Sequence, residues 1–305
     1  MKFWVGITDN RWYEYLALRS AVEVNFWQPS SRRPFTSLPE GTPFLFKLKA
    51  PFNHIAGGGF FTRFTTMPLV TAWNAFGTEN GAESLQAFGR LIETNATTPA
   101  GSNPEIGCSI LTNVFYLPRD RWISMESVLP RTGIMQGKTL DTEIREHADV
   151  WNQVLEGLRD SGLAETTSLY MAPRFGRPFL TSARLGQGAF RTLVTDAYDR
   201  RCAVTGETTL PVLEAAHIHA YKAGGPHSVS NGLLLRADFH KLFDLNLVTV
   251  TPDYKIRVSK RIRDQWFNGK HYYALDGREL AVLPDHPDDR PSHGFLRWHN
   301  QHFDG

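Results

Sequence analysis

The sequence predicts an α+β protein in two parts: a small curved β-sheet with helices, then a compact strand–loop–strand–helix unit. Three observations predict this. Side chains alternate at a two-residue period in Phe3, Val5 and Ile7 against Trp4, Gly6 and Thr8, and again in Phe44, Phe46 and Leu48 against Leu45, Lys47 and Lys49. Apolar residues recur at helical spacing elsewhere, as in Phe190, Leu193, Val194 and Ala197. The stretch from Arg201 to Asp244 then sets two apolar runs on either side of a Gly-Gly-Pro loop, with a helical pattern after them.

A chain of 305 residues has room for two domains, each with its own core. Hydrophobic content of 41% and charged content of 21% are those of an ordinary globular protein. No run of about 18 apolar residues exists, so no membrane-spanning helix and no membrane partner are expected. The opening MKFWVGITDN lacks an apolar signal segment. Cys108 and Cys202 lie far apart and form no CxxC pair, which excludes a zinc ribbon and fits a reducing cytoplasm. The net charge is +2, but residues 171–305 hold 18 Lys+Arg against 14 Asp+Glu, while residues 1–170 hold 15 against 17. The mild basic excess of the second part fits phosphate contact, with Lys255, Arg257, Lys260, Arg261 and Arg263 as the backbone-contact cluster.

In chain order, residues 1–10 form a strand that Asp9 and Asn10 end, capping a helix over 11–20. Residues 43–50 and 54–65 give two further strands, the latter containing Gly57, Gly58 and Gly59. That run is followed neither by Lys and Ser/Thr nor by a GxGxxG pattern, so it reads as a bend in the sheet and not as a phosphate loop. Residues 95–106 form a polar loop and residues 109–117 return to apolar patterning. A long amphipathic helix is predicted over 140–163, through Ile144, Val150, Val154, Leu155 and Leu158. Pro173, Gly176 and Pro178 mark a linker over 171–183 that divides a domain at 1–170 from one at 184–305. A helix over 185–199, two short strands within 247–259 and a short closing helix at 295–299 complete the second domain.

The chemistry concentrates between residues 212 and 245. A strand over 212–218 ends near His217, a second runs over 233–235, and a helix over 238–245 places His240 and Asp244 at i and i+4 on one face. Phosphodiester hydrolysis needs a base for water near neutral pH, a role that suits histidine. It also needs positive charge at the leaving oxygen, which a divalent cation supplies best. His217 is the candidate base, Asn231 its orienter, and His240 and Asp244 the candidate ligands for Mg²⁺ or Mn²⁺. A nitrogen ligand would also admit Co²⁺ or Ni²⁺. His219 and His227 read as a structural and a solvated loop residue.

In order, Cys202-Ala203-Val204-Thr205-Gly206, Glu214-Ala215-Ala216-His217-Ile218, the Gly224-Gly225 loop, Asn231-Gly232-Leu233 and His240-Lys241-Leu242-Phe243-Asp244 resemble the HNH endonuclease family of the ββα-metal fold. The resemblance spans roughly residues 185–270. It implies that His217 is the general base, Asn231 the central asparagine and His240 the closing histidine. Many members keep a metal-binding Asp or His just before the base; here that position is Ala216, and Glu214 shares its strand face.

The N-terminal half is rich in aromatics, most of them expected in the core. Phe3-Trp4-Val5-Gly6, Asn25-Phe26-Trp27, Phe44-Leu45-Phe46-Lys47 and Gly59-Phe60-Phe61 resemble the EVE domain of the PUA-like superfamily, a small curved β-barrel with helices akin to YTH domains. The resemblance implies an aromatic cage for one extruded, modified base. Trp27 holds a position like the cage tryptophan, Asp9 and Asn10 match the loop that contacts the base edge, and Trp73 is a second wall.

The two resemblances together imply a modification-dependent restriction endonuclease. Its N-terminal domain would read 5-methyl- or 5-hydroxymethylcytosine in double-stranded DNA, and its HNH domain would cut nearby with a divalent metal. One HNH site cuts one strand, so a homodimer is expected, at least on DNA. Two other classes stay open: an RNA-directed nuclease, since PUA-like domains often serve RNA, and a binding protein whose HNH site is inactive.

Overall fold

Alternation near the N-terminus becomes strand β1, and the sheet grows around it. In chain order the N-terminal elements are β1 (Lys2–Thr8), α1 (Asn10–Ala17), β2 (Glu23–Gln28), β3 (Pro43–Leu48), β4 (His54–Pro68), α2 (Leu69–Phe76), α3 (Leu85–Asn95), β5 (Glu105–Tyr116), β6 (Ile123–Ser124), β7 (Gly137–Asp141) and α4 (Arg145–Asp160). The short strands β8 (Pro173–Arg174) and β9 (Arg177–Pro178) pair with each other. The structure is a computed structural model that describes residues 1–31, 38–96, 101–125, 137–160, 173–174, 177–178 and 185–305. It divides into two compact units, Met1–Arg184 and Leu185–Gly305.

The sheet runs β2-β5-β4-β3-β1-β7, with β6 attached to β4. β1 lies parallel to β3, and the other pairings are antiparallel. Both faces of β1 are covered. Phe3 and Val5 pack with Val150, Trp151 and Val154 of α4, and Trp4 joins Trp12, Tyr13 and Leu16 of α1. A strand covered twice is apolar on both faces, which is why Trp4 stands where simple alternation puts a polar residue. Gly57 and Gly58 lie where β4 is squeezed between β3 and β5. A Cβ on Gly57 would strike the Phe115 carbonyl oxygen, and one on Gly58 would stand 2.6 Å from that of Phe44. The register shifts beside them, between Phe46 and Lys47 and between Gly58 and Phe60. The glycine run therefore serves the close approach and bending of strands.

Asp9 caps α1 by accepting from the backbone N–H groups of Arg11 and Trp12. The helix expected over 140–163 begins later, at Arg145. Leu140 instead pairs with Phe3 in β7, and the Asp141 carboxylate accepts from the Glu143 N–H in the turn that follows. Its apolar pattern was shared by a strand end and a helix. The end of that predicted helix, beyond residue 160, lies outside the described residues. So does the linker expected over 171–183, apart from the backbone of β8 and β9.

The C-terminal unit runs α5 (Gln187–Ala197), β10 (Leu213–His217), β11 (Gly232–Arg236), α6 (Ala237–Asp244), β12 (Val248–Val250), β13 (Ile256–Val258), α7 (Arg261–Trp266), α8 (Lys270–Tyr273) and α9 (His293–His302). Its core joins Phe190 and Val194 of α5, Leu233, Leu234 and Leu235 of β11, Phe239 and Phe243 of α6, and Leu296 of α9. Gly232 lets α5 close on the hairpin, since a Cβ there would collide with Val194. Among the described residues no helix is long and apolar enough to cross a membrane.

His299 locks α9 to this core. Its ring stacks on Phe243 at 3.7 Å between centroids. Nε2 lies 3.1 Å from the Phe243 carbonyl, which can only accept, so Nε2 carries the proton. Nδ1 then accepts from the Thr249 hydroxyl at 2.7 Å. Burial pushes the ring's pKa down to about 4, against the opposing effect of the Phe243 carbonyl. A folded-state value below the unfolded 6.5 means that the unfolded chain takes up the proton first. This contribution to stability is complete above pH 6.5 and is lost as the pH falls toward 4, to a limit of about 3 kcal/mol. Urea midpoints of the C-terminal unit should therefore fall across that window, and His299→Gln should flatten the fall. An unchanged acid slope in His299→Gln would refute the assignment.

Candidate active site

β10 and β11 form an antiparallel hairpin in which His217 lies opposite Gly232 and Ala216 opposite Leu233. His217 ends β10, and its ring stacks on Phe190 of α5 at 3.9 Å with the planes 13° apart. Nε2 faces Nδ1 of His227 at 2.9 Å. Burial first, then the charges of His227, His240 and Arg191, push the His217 pKa down to about 4. The ring is neutral at pH 7, the state a base requires.

Asn231 is fully buried just before β11. Its Oδ1 accepts from the His219 N–H at 2.8 Å, and its Nδ2 donates to the His219 carbonyl at 3.0 Å and the Pro226 carbonyl at 2.8 Å. The asparagine therefore holds backbone on both sides of the loop that leaves His217 and returns through His227. Gly225 completes the turn, since a Cβ there would run into the His219 carbonyl oxygen. His219 itself stacks on Trp298 at 4.0 Å and turns Nε2 toward the Ala223 carbonyl at 3.2 Å. Those contacts give it a packing role.

α6 presents His240 and Asp244 one turn apart. His240 Nε2 lies 3.5 Å from the Asp244 carboxylate, and Nδ1 lies 2.6 Å from the Glu214 carboxylate on β10. Glu214 and Ala216 share the strand face turned to this helix. Ala216 is fully buried and packs into the core, while Glu214 is exposed and reaches His240. Among the described residues no group of three or more His, Cys, Asp or Glu side chains is set to hold a metal ion. The donors present suit a hydrated divalent ion better than a closed structural one. They comprise one imidazole nitrogen and one carboxylate, with a second carboxylate fixing the other ring nitrogen.

Four of the five cations expected to contact a DNA backbone have acidic neighbours. Lys255 meets Asp253 at 2.9 Å, Arg257 meets Asp276 at 3.4 Å, Arg263 meets Asp264 at 3.4 Å, and Arg261 meets Asp304. Exposed pairs of this kind are weak and leave such cations exchangeable.

In the N-terminal unit, Trp27 and Trp73 are partly buried and both lie against Phe88, with centroids 5.6 and 6.3 Å from it. The Trp27 indole N–H donates to the Asn80 carbonyl at 2.8 Å, which also accepts from Trp12 at 3.1 Å. The described contacts of Asp9 and Asn10 run elsewhere. Asp9 caps α1 and meets Lys49 at 3.4 Å. Asn10 donates to the Ala50 carbonyl at 3.1 Å, and its buried Oδ1 has no hydrogen-bond partner. The structure thus gathers the two tryptophans and gives Asp9 and Asn10 a different set of neighbours.

Sequence reasoning missed His227, which it read as a solvated loop residue. Only the fold-back of the loop through Gly224 and Gly225 brings that ring to His217, and ten residues of separation carry no signal of it.

A strand ending in a neutral histidine, a buried asparagine that braces the loop, and a helix offering His and Asp define an HNH-type frame. Residues 202–251 match the HNH endonuclease family model. No curated protein matches the chain. Among solved structures, the ASCH protein of Zymomonas mobilis is 12% identical over 48% of this chain and 94% of its own, with a TM-score of 0.34. A point variant of that protein gives 11%, 49%, 97% and 0.35. The modification-dependent TagI restriction endonuclease is 14% identical over 93% of this chain and 76% of its own, with a TM-score of 0.29.

Proposed function

We propose that the protein is a metal-dependent DNA endonuclease whose N-terminal unit selects DNA carrying 5-methyl- or 5-hydroxymethylcytosine. The observation that carries the nuclease reading is the neutral His217 at the end of β10, within an HNH frame that also sets His240 beside Asp244. The EVE resemblance and the paired tryptophans support the reader.

In this reading a water loses its proton to His217 and its oxygen bonds to phosphorus. The phosphorus–oxygen bond to the leaving strand breaks. The leaving oxygen takes a proton from solvent, and His217 gives its own back. His240 and Asp244 would hold the divalent ion, Mg²⁺ or Mn²⁺, with Glu214 orienting the His240 ring. The chemistry such an ion supplies when bound is charge stabilisation at the leaving oxygen. Asn231 keeps the loop beside the base in place. Double-strand cleavage then takes two chains, each cutting one strand.

Matched plasmids with plain, methylated and hydroxymethylated cytosine, and a matched RNA, test this. Cleavage of modified DNA alone, in Mg²⁺ or Mn²⁺, is expected. Binding without cleavage under every metal would leave a reader without a nuclease. Trp27→Ala refines the test. Stacking one base on an aromatic is worth about 1–3 kcal/mol, so the variant should lose roughly fivefold or more of its preference for modified DNA. Phosphate contacts should persist. The Asn80 carbonyl keeps its bond from Trp12, so the fold should survive. A folded variant with undiminished preference would remove Trp27 from the reader site.

A further inference from the structure

We infer that His227 is a positioning residue for the base, holding His217 in the one tautomer that can take a proton from water. The inference rests on the nuclease reading above. It starts from the 2.9 Å between His217 Nε2 and His227 Nδ1. One proton fits between two facing ring nitrogens, so one ring donates and the other accepts. If His227 donated, His217 Nε2 would be spent as an acceptor and its proton would sit on Nδ1, leaving no lone pair for water. If His217 donates from Nε2, its Nδ1 lone pair is free. Among the described residues, His217 Nδ1 has no hydrogen-bond partner.

The surroundings are built to hold this pair. His217 lies flat on Phe190. His227 lies on Tyr221 at 4.3 Å with the planes 21° apart. Asn231 grips the Pro226 carbonyl, one residue before His227, and the His219 backbone, two residues after His217. A single buried amide therefore fixes both arms of the loop and with them the distance between the rings. The site chemistry needs an acceptor on the far side of the base, and the loop supplies a second imidazole there.

An imidazole acceptor has a consequence that a carbonyl would not have. A proton taken up at His227 Nδ1 turns that ring into a donor and forces the unproductive arrangement on His217. A proton taken up by His217 itself also ends base action. Activity should thus fall with the second power of acidity below both pKa values. The groups facing this pair are Phe190 and Arg191 of α5, Tyr221 in the loop, and His240 of α6; Arg191 and His240 both disfavour the charged form of His217. Burial disfavours the charged form of His227.

The test uses the full chain, a supercoiled plasmid carrying 5-methylcytosine, and Mn²⁺, over pH 3–9, so that the scan passes below the His217 pKa of about 4. His227→Gln keeps an acceptor in its amide oxygen but cannot titrate. It should retain cleavage at pH 8 to within about tenfold, and the slope of its acid limb should drop from two protons to one. His227→Ala removes the acceptor and should lower kcat about tenfold or more, with KM unchanged. Ring-nitrogen NMR at pH 8 should show His217 protonated at Nε2 in the native protein, a readout independent of cleavage. Native acid slopes in both variants, or an Nδ1-protonated His217, would overturn the inference. If His217→Ala still cuts, the nuclease reading itself has failed. If His217→Ala is inactive while both His227 variants match the native enzyme, only the role of His227 has failed.

Discussion

His217→Ala should lower the cleavage rate about 10²–10⁴-fold, the usual loss when a general base is removed. The fold should persist, because the ring is only partly buried and the core beneath it is apolar and complete without it. Binding of modified DNA should persist too, since the proposed reader tryptophans, Trp27 and Trp73, belong to the other unit. The His217 pKa of about 4 leaves the ring uncharged at neutral pH, so the native enzyme should need no alkaline conditions to work. A folded His217→Ala protein that nicks at near-native rate would remove the base from the mechanism.

Removing divalent metal should abolish cleavage, and Mn²⁺ or Mg²⁺ should restore it. The geometry separates the residues around this site by what they lose. His240→Ala removes a candidate ligand and should weaken the metal response at little cost in stability, because the ring is partly exposed. Glu214→Gln leaves the ligands but loosens His240 and should lower apparent metal affinity about 10–100-fold. Asn231→Ala should act differently: it empties a buried position and strips three part-buried hydrogen bonds to the His219 and Pro226 backbone, at about 0.5–1.5 kcal/mol each. Its signature is a lower unfolding midpoint with an unchanged metal titration curve for whatever remains folded. Manganese titrations of nicking, read beside urea melts, distinguish the three. Full activity in EDTA would point to a metal-free nuclease.

Much of the C-terminal unit was legible in the sequence because its elements are short and its markers local. β10, β11 and α6 fall within a residue or two of the expected spans, since turn residues and i, i+4 spacing are read from neighbours in the chain. The partner of His217 was not legible, because a ring brought back by a loop leaves no periodic trace. Nor could a sequence show that Glu214 would reach the helix while Ala216 disappeared into the core. Both occupy one strand face, yet Ala216 is fully buried and Glu214 is exposed. In the N-terminal unit the aromatics were correctly expected to be mostly core. Yet Leu140 was drawn into a helix, because one apolar residue at the edge of a pattern fits a strand as well.

Asn231 is followed by Gly232, which has no side chain to hinder attack of its backbone nitrogen on the asparagine side chain, the step that ages asparagine to aspartate. In the native fold the amide is immobilised by its three hydrogen bonds, and the following residue is committed to β11, so the ring closure that ageing requires is blocked. An aspartate at this position would turn a carboxylate toward the carbonyl oxygens of His219 and Pro226, which repel it. The loop that carries both histidines would come undone. At Asn231 the chemical clock therefore runs only in molecules that have opened, whereas the exposed Asn268, which precedes Gly269, has no such protection. Each excursion to the unfolded state at elevated temperature carries a chance of never returning to an active one. Loss of the Asn231 amide is therefore tied to how often the C-terminal unit unfolds.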